Sequence, residues 1–104
     1  MADVSAIVSQ RSVVASTGTV KTSTTALAAN SARGGWQVQN LDTGVLYVLL
    51  GAGASTSNYH MVLKAGSSAA DGTGGSYAEC IGVIYTGLVS VASAGTPSYA
   101  VFEK

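Results

Sequence analysis

The sequence predicts an all-β protein: a single antiparallel β-sandwich, jelly-roll-like or barrel-like, with an N-terminal arm or short helix. Short runs rich in Val, Ile, Tyr and Thr recur along the chain, each bounded by Gly, Asn, Asp and Ser clusters, which is the pattern of strands separated by turns. Their close, even spacing points to a sandwich or barrel of antiparallel neighbours. Long helix-period patterns are missing. A chain of 104 residues is one domain and can bury a single core. Residues 1–20 are expected to form the arm and first strand, and residues 21–104 the sandwich.

Taken in order, the chain starts with Asp3, Val4, Ile7 and Val8 at helical spacing, with Asp3 placed to cap a helix. Eight residues make a marginal helix alone, so an extended arm is the equal alternative. Strands are expected at residues 12–15, 20–28, 36–41, 45–50, 59–64, 81–85, 87–92 and 98–102. The clearest hairpin joins 36–41 to 45–50 through Asp42-Thr43-Gly44, where Asp bonds to nearby backbone and Gly supplies positive φ. In its first strand Trp36, Val38 and Asn40 alternate with Gln37, Gln39 and Leu41, so one face is apolar. Its second strand, Val45-Leu46-Tyr47-Val48-Leu49-Leu50, is apolar on both faces and must be covered on both. One face would meet the core, and the other an N-terminal arm or a neighbouring chain. The glycine-rich stretch 65–80 reads as the longest loop, with Asp71 and Glu79 in solvent. Pro97 stands at a strand start, where its missing N–H does no harm. Both chain ends are expected to be packed.

Charge is scarce. Ten of the 104 residues are charged, against a usual quarter, and the net charge is zero. A protein standing alone in water normally keeps a charged surface with net charge away from zero. Such a shortage points to a building block whose surface is largely covered by neighbours. The five basic residues, Arg11, Lys21, Arg33, Lys64 and Lys104, are scattered, which argues against nucleic acid. No stretch offers about 20 predominantly apolar residues, so no transmembrane helix is expected. Met1-Ala2-Asp3-Val4 brings no basic region and no long apolar run, so no signal peptide is expected. One cysteine, Cys80, permits no intrachain disulfide, and assembly inside a cell is the simpler reading.

No constellation carries a clear chemistry. Gly51-Ala52-Gly53 after a strand invites a dinucleotide-binding reading, but Ser55, Thr56, Ser57 and Asn58 lead into a strand-like run, not a helix. Asp71-Gly72-Thr73-Gly74-Gly75 lacks the alternating acidic residues of a calcium loop. His60 and Cys80 are the only Cys–His pair, with no third group to orient them; Cys80 reads as a small core hydrophobe. No cofactor, metal or catalytic residue is expected. Arg33, in a chain with so few charges, should have a fixed partner, Asp42 or Glu103, as a turn anchor or else an inter-subunit contact. Tyr47, Tyr59, Tyr77, Tyr85 and Tyr99 mostly fall in expected strands, where aromatics pack across neighbours.

Between residues 30 and 104 the ordering of elements resembles short virion structural proteins of tailed bacteriophages. The resembling pieces are Asn30-Ser31-Ala32-Arg33, Gln39-Asn40-Leu41-Asp42-Thr43-Gly44, Leu46-Tyr47-Val48, Leu50-Gly51-Ala52-Gly53-Ala54-Ser55, Val62-Leu63-Lys64, Asp71-Gly72-Thr73-Gly74-Gly75-Ser76, Tyr85-Thr86-Gly87 and Val89-Ser90-Val91. The resemblance implies a β-sandwich on the phage particle, a head decoration or cement protein, and carries no catalytic residues. The expected function is then a non-enzymatic virion component, assembled in the bacterial cytoplasm. It would bind the major capsid protein on the outer head surface and associate with itself, as a trimer. Val4, Ile7, Val8, Val13, Val14, Arg33 and Tyr47 are the expected assembly residues. The alternatives are a tail or neck module, and a small adhesion or carbohydrate-binding module using Tyr77 and the 65–80 loop.

Overall fold

The computed structural model describes the backbone of residues 14–17 and all of residues 23–95 and 98–104. Eight strands are present: β1 (Val14–Thr17), β2 (Thr24–Leu27), β3 (Trp36–Asn40), β4 (Leu46–Leu50), β5 (Met61–Leu63), β6 (Ser76–Glu79), β7 (Val89–Ala92) and β8 (Ser98–Glu103). They form two four-stranded antiparallel sheets, β1-β8-β3-β6 and β2-β7-β4-β5. Successive strands change sheet at every step except β4 to β5. This is the jelly-roll form of the β-sandwich, two sheets built from Greek keys. No helix occurs among the described residues. The expected helix or arm over residues 3–10 lies outside them, as do the expected packing of the N-terminal end and the role given to Pro97.

The alternation read in the sequence sets the two layers. Trp36 and Val38 of β3, with Tyr99 and Val101 of β8, turn inward from one sheet. Leu27, Leu46, Val48, Leu63, Val89 and Val91 meet them from the other. A bulge at Ala26 returns Leu27 to the inner side. Each such aliphatic side chain contributes roughly 1.5–3 kcal/mol by leaving water.

The expected hairpin between 36–41 and 45–50 is not formed. β3 pairs with β6 and β8, whereas β4 pairs with β5 and β7 in the opposite sheet. The physical reason is Asn40, the last inward position of β3, which is only 1% exposed. A buried amide must satisfy its donors and acceptor. Its Nδ2 donates to Gly44 O at 2.8 Å and Lys64 O at 3.1 Å, and its Oδ1 accepts from Asp42 N at 2.9 Å. The Asp42-Thr43-Gly44 turn is thus bent across the end of the sandwich and delivers the chain to the other sheet. Gly74 and Gly75 complete this end. Gly75 N donates to Lys64 O and Gly75 O accepts from Asn40 N, tying the sheets together. A Cβ on Gly74 would overlap the Asn40 carbonyl, and one on Gly75 would stand 2.6 Å from Lys64 N.

Two further expectations are corrected. Residues 76–79, read as part of a long loop, pair with β3 as an edge strand. Residues 81–85, read as a strand, form an irregular loop with Gly82 at φ 82° and no sheet partner. The C-terminal end is packed: Lys104 N donates to Gly35 O, and Lys104 O accepts from Gly34 N and Gly35 N.

Candidate functional site

Register places the outward side chains of each sheet. On the first, Gln37 stands opposite Ala78 and Phe102, and Gln39 opposite Ser76 and Ala100. On the second, Thr25 pairs with Ser90, Tyr47 with Val62 and Ala92, and Leu49 with Ser90. Among the described residues, no outward strand position on either face carries a charge. Arg33, Asp42, Lys64, Asp71 and Lys104 lie outside the strands, and Glu79 and Glu103 sit at strand ends in register with inward Trp36. The charges of the described residues thus lie at or beyond the strand ends, with Lys64 at the rim of the second outer face beside Val62.

The outer face of β4 is covered in part by the chain itself; the arm named as its expected cover lies outside the described residues. The β4–β5 connection folds back over its own sheet. Ala54 is buried in a small cluster with Leu49 and Ala92. Ser90 Oγ accepts from Ala54 N at 3.0 Å and donates to Gly51 O at 2.6 Å, which pins the connection down. The Tyr59 ring packs against Tyr47 with centroids 4.9 Å apart. A strip of Val45, Tyr59 and Val62 beside Tyr47 stays open.

At one end of the sandwich the described residues hold a charged clamp. The Arg33 side chain is fully buried. Its Nε donates to Glu103 Oε1 at 2.8 Å, Nη1 to Tyr85 O and Gly87 O at 2.9 Å each, and Nη2 to Ala28 O at 2.6 Å. One guanidinium fork thus joins the ends of β2 and β8 to the β6–β7 loop. Glu79 works beside it: Oε1 accepts from Trp36 Nε1 at 2.9 Å and Tyr85 N at 2.8 Å, and Oε2 from the Tyr77 hydroxyl at 2.7 Å. Burial pushes the Glu79 carboxyl up, but these three donors and the Arg33 charge outweigh it and hold it below its ordinary value. The same bond to Glu79, together with burial, raises the Tyr77 hydroxyl. Glu79 is therefore a structural partner and not the solvent-facing loop residue expected. Beyond the clamp the β6–β7 loop projects Ile81 and Val83, which are 89% and 96% exposed.

The remaining sequence candidates are dispersed. Val4, Ile7, Val8 and Val13 lie outside the described residues; Val14 opens β1, opposite Val101. Arg33 has Glu103 as its partner and is an internal anchor. Tyr47 lies on the outer face of β4. His60 Nδ1 accepts from Leu50 N, whereas Cys80 is exposed, not a core residue; no hydrogen bond joins the two. Among the described residues no three His, Cys, Asp or Glu side chains gather as metal ligands would. Asp71 is solvent-exposed as expected, and its carboxylate accepts four bonds from Thr73 and Ser68 of its own loop. Those bonds, the Thr73 hydroxyl foremost, lower its pKa to about 2. Tyr77 turns its ring onto Trp36, centroids 5.4 Å apart. Sequence reasoning missed the Glu79 clamp and the Ile81–Val83 tip. The signal for the tip was Gly82, which breaks an otherwise strand-like run. No family model matches the chain, and no curated protein or solved structure matches it.

Proposed function

We propose that this chain is a non-enzymatic structural subunit of a tailed-phage virion, a head decoration or cement protein that binds the outer capsid surface and stabilises it. One observation carries the reading beyond the resemblance: the outward strand positions of both sheets lack charge among the described residues. Uncharged sheet faces can be buried against neighbours without desolvating ions, a penalty of several kcal/mol per ion. Among the described residues, charge is instead used at the ends of the sandwich, in the Arg33–Glu103 clamp and the Asp71 loop. It acts with copies of itself and with the major capsid protein, and the N-terminal segment contributes to the capsid contact.

Electron microscopy of particles labelled on this chain tests the assignment. Label over the head surface is expected; label on the tail or neck, or none on the particle, overturns it. A chain lacking residues 1–12 should keep the β fold and lose binding to heads. Undiminished binding contradicts the role given to that segment.

A further inference from the structure

The β4–β5 connection leaves its sheet by one limb and returns by another, and different chemistry fixes the two. The outgoing limb, residues 51–54, is pinned to β7 by the Ser90 hydroxyl, which donates to Gly51 O and accepts from Ala54 N. The return limb, residues 55–60, is bonded within itself between Ser55 and Asn58 and reaches the sheet through Tyr59 and His60. We propose that His60 is a pH-sensitive latch, whose protonation detaches the return limb from β4 and lifts Tyr59 off Tyr47. The latch stands independently of the reading of the chain as a virion subunit.

His60 is the chain's single histidine. Its Nδ1 lies 2.9 Å from Leu50 N. A backbone N–H only donates, so Nδ1 holds a lone pair there, and the bonded imidazole is the neutral form with its proton on Nε2. β4 and β5 pair from Leu46 and Leu63 to Val48 and Met61, and beyond that point the imidazole takes the place of a ladder carbonyl. Histidine is the side chain that ordinarily changes charge between pH 5 and 8. Once protonated, Nδ1 is itself a donor and faces the Leu50 N–H. The bond is lost and two N–H groups are left opposed. The backbone bond from His60 N to Val48 O, at 2.8 Å, has no proton to gain and sets the point from which the limb turns away.

No neighbouring group offsets that loss. Among the elements packed around His60, β4 brings Tyr47, the return limb Tyr59, and β5 is followed by Lys64 at its opposite end; β7 carries no titratable side chain. The β6–β7 loop, whose Ile84 packs on the same core as Leu50 and Met61, brings Cys80 and Tyr85. The Tyr85 hydroxyl donates to Leu88 O, and the carboxylates of that end, Glu79 and Glu103, are held by Trp36, Tyr77, Tyr85 and Arg33. Among the described residues no carboxylate pairs with His60, so a charged imidazole gains no partner. The Ser90 bonds involve a hydroxyl and backbone groups, which keep their protons across this range, so Ala54 stays seated on Leu49 and Ala92. Tyr59 precedes His60 in the chain and moves with the return limb. Exposure of Tyr47 thereby comes under the control of pH.

NMR of the full chain from pH 8 to pH 5 tests the latch, with the His60 ring protons reporting its charge. Amide exchange is read as a protection factor, which removes the intrinsic effect of pH. The Leu50 amide should lose protection about 3–10-fold as the His60 ring protons titrate, the value of one hydrogen bond, while Ala54 holds its own. Contacts between the Tyr47 and Tyr59 rings should weaken over the same range. His60→Asn replaces an exposed side chain and offers an oxygen acceptor at every pH, so its Leu50 amide should show no pH response. Leu50 protection that stays constant through the His60 titration overturns the latch, as does a response that persists in His60→Asn. Equal loss at Ala54 also overturns it, because the whole connection then opens. Tyr47–Tyr59 ring contacts unchanged at pH 5 overturn the release of Tyr59.

Discussion

Replacing Arg33 by alanine removes a side chain that ties three separate segments at the clamped end. The guanidinium is fully buried, while the Glu103 side chain keeps 21% of its surface in water. Removal leaves Ala28 O, Tyr85 O and Gly87 O without their donor, and Glu103 without its cation. Breaking a buried ion pair by deleting one partner costs about 3–5 kcal/mol, and partial hydration of Glu103 favours the lower part of that range. A domain of this size has about 5–15 kcal/mol in all, so the loss is a large fraction. At roughly 4–8 °C per kcal/mol, Tm should fall by about 15–30 °C. Thermal and urea unfolding followed by circular dichroism measure it. Arg33→Lys should lose less, because the charge remains while the fork geometry is gone. Glu103→Gln should lose least, because an acceptor remains. A loss below about 1 kcal/mol for Arg33→Ala would refute the clamp as a structural element.

Gly74→Ala should destabilise the fold by about 1–3 kcal/mol in the same assay, because the new Cβ overlaps the Asn40 carbonyl where the two sheets are joined; an unchanged Tm would contradict the close approach. The two depressed carboxyls fix the acid response. Asp71 and Glu79 are lowered in the folded chain, so their bonds support it fully above the ordinary carboxylate range. That support is lost as pH falls through their folded values, about 2 for Asp71. NMR titration of the side-chain carboxyls should place Asp71 near 2 and Glu79 below 4.5; a midpoint at or above 3.8 for Asp71 would show that its loop is not held as described.

The β class and the positions of most strands were legible, because alternation and turn residues are local signals. Which strands pair was not. Asp42-Thr43-Gly44 looks like a hairpin turn, yet the deciding residue is Asn40, whose amide gathers carbonyls from the far side of the sandwich. A polar residue at the inward position of the Trp36-Val38-Asn40 series was the available clue. Residues 81–85 misled for a similar reason: β-branched residues favour strands only where a partner strand and a face to bury exist. Residues 76–79 were hidden by the glycines before them, which serve a close approach between sheets and not a mobile loop. The Arg33–Glu103 pairing was foreseeable from scarcity of charge. The Glu79 clamp was not, since its donors are a tryptophan, a tyrosine and a backbone N–H. The shortage of charge gained a location: among the described residues the outward strand positions are without it, and the strand ends and loops hold it.

Native mass spectrometry of the purified chain over a range of concentrations tests the central claim most directly, that these faces are built to be covered by neighbours. A defined oligomer, with three copies as the expected stoichiometry, is predicted. A soluble monomer that persists at the highest concentration would contradict it.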